Sequence, residues 1–429
     1  MKLLLGRVLA FRADPFLGAP ERSARYEAQG AVLIDGGRIV EVGLAADLRK
    51  AHPAARIEDL GEALILPGFV DCHAHYPQTA IIASWGRRLI DWLNGYTFPE
   101  ELRFGDPAYA RAQAELYLDL CLANGISTAC VYATVHPESA EAIFEAAEAR
   151  GLRLIAGKVM MDRNAPEGLR DDPERGAEES AALIGRWHGR GRLSYAITPR
   201  FAPTSSEAQL AAAGALRAAH PECLVQTHLS EQPEEIAWVR ELFPDDADYL
   251  AVYERHGLAG AGAVMGHCIH LEPREITALG ESGASVAHCP TSNAFIGSGL
   301  CDVRGLVEAG AKVGLATDVG GGSSFSMLRT MASAYEISQL RGAPLHPAEL
   351  LWLASEGSAR AMGLGGVVGT LATGAEADLI ALDLAATPVL AQRTARAESV
   401  WDELFAAMML GDDRCVRGVW VEGRRIVPH

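Results

Sequence analysis

Hydrophobic and polar positions change rhythm twice along the 429-residue chain. From the start to about residue 66, short β-rich runs alternate with turns, at 2–10, 31–34 and 38–42. The Asp35-Gly36-Gly37 step between two of these runs predicts a tight hairpin, because glycine supplies the positive φ such turns need. Residues 44–50 suit a short helix. The far end repeats the style, with runs at 377–382, 416–421 and 425–427 around a Glu422-Gly423-Arg424 turn. Neither end holds enough apolar residues for its own core. Segments 1–66 and 376–429 are therefore expected to combine into one small β-sandwich domain.

Between them, in 67–375, apolar runs alternate with Ala/Glu/Arg-rich helical stretches, the pattern of βα units and a parallel sheet. Eight strands are predicted, at 64–72, 126–133, 153–160, 193–199, 223–228, 263–268, 284–288 and 312–317. Helices are predicted over 107–124, 138–150, 206–220, 273–281 and 303–309. Eight strands with intervening helices over this length predict a (β/α)8 TIM barrel, an α/β fold. A doubly wound sheet competes, but no Gly-x-Gly-x-x-Gly turn follows the first strand.

In a barrel of this kind, chemistry gathers where strands end. The first strand ends in His73-Ala74-His75, followed by Tyr76-Pro77-Gln78. The fourth ends in Thr198-Pro199-Arg200-Phe201, and the fifth in Gln226-Thr227-His228-Leu229-Ser230-Glu231. The sixth ends at His267, the seventh at His288, and the eighth at Thr317-Asp318. Residues two apart on a strand share a face, so His73 and His75 can aim both imidazoles at one point. With His228 and Asp318 they make a plausible N/O ligand set for Zn²⁺ or Fe²⁺. Any one of these histidines could instead be a hydrogen-bonded core residue; their joint position at strand ends favours a metal. Glu231 could reach a molecule held there, or, on an exposed helix start, simply complement the helix dipole. His267 could donate a hydrogen bond to attacking water. His136, His270 and His288 are expected to be structural or supporting.

Composition narrows the partners. A net charge of −17 argues against nucleic acid and against anionic membrane surfaces, though not against a single uncharged base. The eight cysteines are scattered with no Cys-x-x-Cys pair, which suits free thiols in a reducing compartment. No apolar run approaches the ~20 residues that span a bilayer. The start of the chain lacks the pattern of a secretory signal, so a cytoplasmic location is expected.

At these motifs the chain resembles the amidohydrolase superfamily, in its mononuclear deaminase branch. Within that branch it is most similar to the enzymes that act on guanine. The strings that carry the likeness are Pro67 through Gln78, Gly157 through Asn164, Thr198 through Pro203, Gln226 through Glu231, His288 through Asn293 and Thr317 through Gly322. His-x-His and the Thr-Asp pair mark only the superfamily; Tyr76-Pro77-Gln78 and Pro199-Arg200-Phe201 are more specific.

The resemblance implies hydrolytic deamination of guanine at C2, giving xanthine and ammonia. It implies one Zn²⁺ per subunit, with Fe²⁺ as the alternative, bound by His73, His75, His228 and Asp318. It places His75, Tyr76, Pro77, Gln78, Arg200, Phe201, His228, Glu231 and Asp318 against the base. Glu231, Asp318 and His267 take the catalytic roles, and the chain is expected to be a homodimer. Binuclear barrels of this kind commonly bridge their metals with a carboxylated lysine from the fourth strand; that strand has none, and Lys158 lies on the third. A single metal is favoured. The segment 92–98, rich in aromatics, is either a lid over the base or a packed or subunit-contact loop. Rival readings are a deaminase of another purine, pterin or triazine ring, a cyclic-amide hydrolase with two metals, and a non-catalytic binding protein.

Overall fold

The structure, a computed structural model of the chain, describes residues 1–86 and 88–426. Eight parallel strands follow one another round a barrel: Phe69–His75, Ile126–Tyr132, Arg153–Gly157, Leu193–Pro199, Leu224–Leu229, Ala263–His267, Ser285–His288 and Lys312–Leu315. The last closes on the first just beyond its end. There the Asp318 N–H donates to His73 O at 2.9 Å, and the His75 N–H donates to Val319 O at 2.7 Å. Small and branched residues fill the interior, among them Val70, Cys72, Cys130, Ile155, Ala196 and Val264. That packing closes the lower part of the barrel. Polar side chains are left the C-terminal strand ends.

The predicted helices form close to their expected bounds, and their ends say why. The helix Pro107–Ala123 begins where Asp106 accepts a hydrogen bond from the Ala108 N–H and proline takes the first turn. The helix Pro137–Arg150 stops at Gly151, whose φ of 68° is the left-handed conformation glycine tolerates.

Two predicted strands are each divided. The run 64–72 changes sheets at Gly68: Arg56–Pro67 belongs to the end domain and Phe69–His75 to the barrel. Gly68 has no alternative here, because a Cβ would lie 2.1 Å from Ser127 Oγ. The run 153–160 breaks at Lys158, after which Val159–Met160 pairs with Thr198 and Pro199. Lys158 itself is buried, its Nζ 2.6 Å from Asp171 and 3.2 Å from Glu179.

The two chain ends do meet in one β domain. Its seven strands form a single mixed sheet in the order Arg424–Ile426, Val416–Val421, Leu379–Leu382, Arg56–Pro67, Lys2–Phe11, Ala24–Asp35, Arg38–Leu44. The predicted hairpin is present, with Gly36 and Gly37 at φ of 55° and 78°. From it the sheet curls back on itself: Ile39 donates to Ala375 O and Ala377 donates to Gly37 O. The curl encloses Leu4, Val32, Ile65, Leu379 and Trp420, which is how one sheet obtains the inside of a sandwich. Segment 376–429 is not all β, however. It also contains the helices Pro388–Thr394 and Val400–Leu410, the second packed on the barrel helix Met327–Leu340. Val427, expected in the last strand, lies outside the described residues. No described helix is long and apolar enough to cross a membrane.

Candidate active site

Simple alternation along the first barrel strand does not account for where His73 points. Val70 and Cys72 face the packed interior, so His73 should face out. The register against the second strand shifts between Asp71 and Ala74, where three steps oppose two. This bulge turns His73 inward beside Cys72, and His75 follows on the same side. The ring of His73 fits because residue 266 is glycine; a Cβ there would lie 2.9 Å from His73 Cε1. Three other strand ends carry non-glycine residues at positive φ: Ser230 at 50°, His267 at 70° and Asp318 at 49°. Backbone strain of this kind persists where surrounding structure holds it, typically around sites.

Four buried side chains converge. His75 Nε2 lies 3.2 Å from His228 Nε2, and Asp318 Oδ1 lies 3.4 Å from His73 Nε2 and 3.5 Å from His75 Nε2. A tetrahedral ion with bonds of about 2.0–2.1 Å holds its ligand atoms about 3.3 Å apart. The donor set fits such an ion by a second criterion. Both ring nitrogens of His73 are buried with no hydrogen-bond partner. His228 Nδ1 donates to Arg200 O at 2.7 Å, which fixes the tautomer and leaves Nε2 with a free lone pair. Burial, then the neighbouring imidazoles, depress the pKa of His75 and His228, so both are neutral donors. Burial works to raise Asp318, but His73, 3.4 Å away, and the imidazoles of His267 and His228 hold it at about 2, an anion.

A second grouping of possible donors joins His73, His267, Cys289 and Asp318. Cys289 serves poorly in it. Its thiol donates to Ala287 O at 3.3 Å, and burial pushes its pKa well up, whereas a ligand must be a thiolate.

Beside this cluster stands a buried acid–base pair. His267 Nε2 is 3.5 Å from Glu231 Oε2 and 3.8 Å from Asp318 Oδ2. Asn293 Oδ1, 2.9 Å from His267 Nδ1, takes the other ring proton and sets the ring's orientation. Burial opposes a charge on His267, yet the carboxylates of Glu231 and Asp318 outweigh it and raise its pKa. Glu231 is raised by burial, against the pull of His267, and accepts a hydrogen bond from Ser298 Oγ at 2.8 Å. Behind it, Glu235 accepts the Glu231 N–H at 2.9 Å and the Tyr249 hydroxyl at 2.7 Å, which fastens the turn that presents Glu231. The position three residues past His228 is thus no exposed helix start.

A cavity opens over these groups. His75, His228, Glu231, His267 and Asp318 form one wall, with Gln78 and Arg200 also lining the space. Leu89, Trp92, Leu93, Phe201 and Ile296 supply apolar surface. Of the segment 92–98, Trp92 and Leu93 line the cavity, while Phe98 does not and has the Arg200 guanidinium 5.9 Å from its ring centre. Tyr76 and Pro77 are not among the lining residues. The Tyr76 hydroxyl donates to Ser139 O at 2.6 Å and its ring packs on Phe104, away from the cavity. They form the turn that carries Gln78 to the wall. His270 holds the Ser298 loop through Ser298 O at 2.7 Å, a supporting place.

Sequence reasoning missed four participants. Asn293 closes the string His288 through Asn293 but has no role assigned there, while Glu101, Glu235 and Ser298 lie in loops or short helices without periodicity and are singled out by their burial in the folded chain. For Glu235 the available signal was the capping-box spacing from Gln232, and it speaks of a helix start.

Known proteins share this fold. The sequence matches the model of the amidohydrolase family over residues 64–426, and that of a bacterial imidazolonepropionase-like composite domain over residues 30–55. It is 44% identical over 403 residues to the guanine deaminase of Escherichia coli K12, covering 94% of this chain and 92% of that one. A probable guanine deaminase of Deinococcus radiodurans is 41% identical over 99% of this chain and 98% of its own. The solved structure of the E. coli guanine deaminase superposes with a TM-score of 0.97 at 42% identity, over 100% and 99% of the two chains. A C. acetobutylicum guanine deaminase, solved with guanine bound in the active site, superposes at 0.91 with 27% identity over 99% and 100%. The chain belongs to the amidohydrolase family and, within it, to the guanine deaminases.

Proposed function

We propose that this enzyme hydrolyses guanine to xanthine and ammonia, with one divalent ion, Zn²⁺ or Fe²⁺, held by His73, His75, His228 and Asp318. The observation that carries the reading is the pairing, in one cavity, of this ligand cluster and its acid with Arg200 and Gln78. An ion bound by this set supplies Lewis acidity, which makes water a competent nucleophile near neutral pH. The rest falls to side chains. His267, oriented by Asn293, donates to the attacking water and fixes its direction toward C2. Glu231 takes the proton released in the attack and delivers it to N3, the ring nitrogen next to C2, so negative charge does not accumulate there. Asp318 moves the remaining hydroxyl proton to the amino group, which leaves as ammonia.

Recognition follows from hydrogen-bond inventory. Arg200 has only donors and suits the O6 carbonyl, while Gln78 offers both a donor and an acceptor. Adenine would turn an amino group toward the arginine, and unpaired contacts of that kind discriminate by about 10⁴-fold. Leu89, Trp92 and Phe201 support the flat ring from its apolar faces. The same reading takes the active form to be a homodimer in the cytoplasm; sedimentation of the purified chain tests the dimer, and cell fractionation the location.

Ammonia release from guanine, adenine, 8-oxoguanine, a pterin and a triazine, with metal content measured on the same sample, tests the proposal. Preferred turnover of guanine with about one ion per chain is the expected result. Preference for another ring, or two ions per chain, overturns it.

A further inference from the structure

Glu101 is 1% exposed and does not line the cavity, yet it touches two polar side chains that do, Gln78 and Arg200. Its Oε1 accepts from Gln78 Nε2 at 3.1 Å and from Arg200 Nη1 at 2.9 Å, and its Oε2 accepts from the same Nη1 at 2.8 Å. We propose that Glu101 is the positioning residue for base recognition, holding Arg200 and Gln78 in the one arrangement that reads a purine's carbonyl edge.

Three consequences of the chemistry support this. A carboxylate only accepts, so it forces the Gln78 amide to present nitrogen to Glu101 and oxygen to the other side, where Gly320 N–H meets Oε1 at 3.3 Å. The amide cannot flip without losing both partners. Glu101 also occupies Nη1 of Arg200 and leaves Nη2 and Nε without protein acceptors among the described residues, free for a ligand carbonyl. Finally, a buried guanidinium needs a counter-charge, and Glu101 is the acid paired with it. Glu101 ends the short helix Phe98–Glu101, which continues the helical stretch of Leu89, Trp92 and Leu93. The helical stretch that supplies these lining residues and the two base-reading side chains are thereby joined at one carboxylate.

The inference rests on the reading of Arg200 and Gln78 as base-reading residues, and a double-mutant cycle separates the two claims. Steady-state kinetics on guanine and adenine, with metal content and melting temperature, are measured for Glu101→Ala, Glu101→Gln, Arg200→Ala and the Glu101→Ala/Arg200→Ala pair. Glu101→Ala is expected to lower kcat/KM for guanine about 10²-fold, with metal content unchanged. In the Arg200→Ala background the same change should cost several-fold less than in the native chain, the remainder being what Glu101 exerts through Gln78. Glu101→Gln, which keeps an acceptor for Arg200, recovers part of the loss and serves as the test if Glu101→Ala does not fold. Independent, multiplying losses, or near-native kinetics for both Glu101 variants, overturn the role of Glu101 alone. An Arg200→Ala enzyme that keeps its activity and its preference for guanine overturns the base-reading assignment and this inference with it.

Discussion

Asp71 ties the last barrel strand to the first: its Oδ1 accepts the backbone N–H of Thr317 at 3.0 Å, and its Oδ2 accepts the Thr317 hydroxyl. The same carboxyl receives the His73 N–H at 3.3 Å. One buried side chain thus fixes the backbone at a metal-ligand candidate on the first strand and directly before another, Asp318. Asp71→Ala would strand these donors in an apolar setting, at about 1–3 kcal/mol for each one left unpaired. We expect a lower urea midpoint and less bound metal after purification, with Asp71→Asn, which retains one acceptor, intermediate on both measures.

Glu231 has a role that charge and shape can be made to separate. Glutamine keeps its size and its acceptor for Ser298 Oγ but cannot carry a proton. Glu231→Gln should therefore retain its metal while kcat falls by about 10²–10⁴-fold, the usual worth of a positioned general acid–base group. Single-turnover ammonia release with metal analysis checks this. Near-normal turnover would remove Glu231 from the proton path.

Removing the ion should be visible without any substrate. His75 Nε2 and His228 Nε2 lie 3.2 Å apart and both ring nitrogens of His73 are buried without a protein partner, so an ion these residues bind stabilises the folded chain. A ligand present at a thousand times its Kd stabilises the folded state by about 4 kcal/mol. Dialysis against a chelator should lower Tm, and Zn²⁺ or Fe²⁺ should restore it. In His73→Ala the restoration should be lost.

Much of this was legible because strand ends announce themselves. His73, His75, His228, His267 and Asp318 each follow an apolar run, and a barrel brings such ends to one rim. Period-two alternation correctly paired His73 with His75, but it cannot express the bulge that turns them inward. The split at Gly68 was hidden by composition, since the apolar run continues unbroken through a change of sheet. Tyr76 and Pro77 stand next to Gln78 in sequence and were carried into the cavity with it, although a turn sends their side chains elsewhere. Glu101 was invisible for the opposite reason. It meets Arg200 99 residues away, and no local pattern records a pairing at that distance.

At the other end of the barrel, a buried charge cluster clamps it to the end domain, and its stability should depend on pH. Arg192 Nη2 meets Glu376 Oε2 at 2.6 Å and also pairs with Asp378, while Arg153 Nη2 meets Glu376 Oε1 at 2.6 Å. Removing Arg192 leaves the fully buried Asp378 carboxylate unpaired, so Arg192→Ala should cost about 3–5 kcal/mol in denaturant unfolding. The active site lies far from this cluster, so turnover per folded molecule should not change. Burial works to raise the pKa of Glu376, but the two arginines win and hold it below its ordinary 4.5. A depressed carboxyl contributes stability that is complete above the unfolded value and is lost as pH falls through the folded one. Asp378 has the opposite sign: burial outweighs Arg192 and raises it, so its ionisation opposes folding as pH rises through that window. Comparing the native chain with Glu376→Gln isolates the first effect. The difference in unfolding free energy between them should be largest above about pH 4.5 and shrink as pH falls below it. A difference that stays constant with pH would mean that Glu376 is not held by Arg153 and Arg192 as a charge.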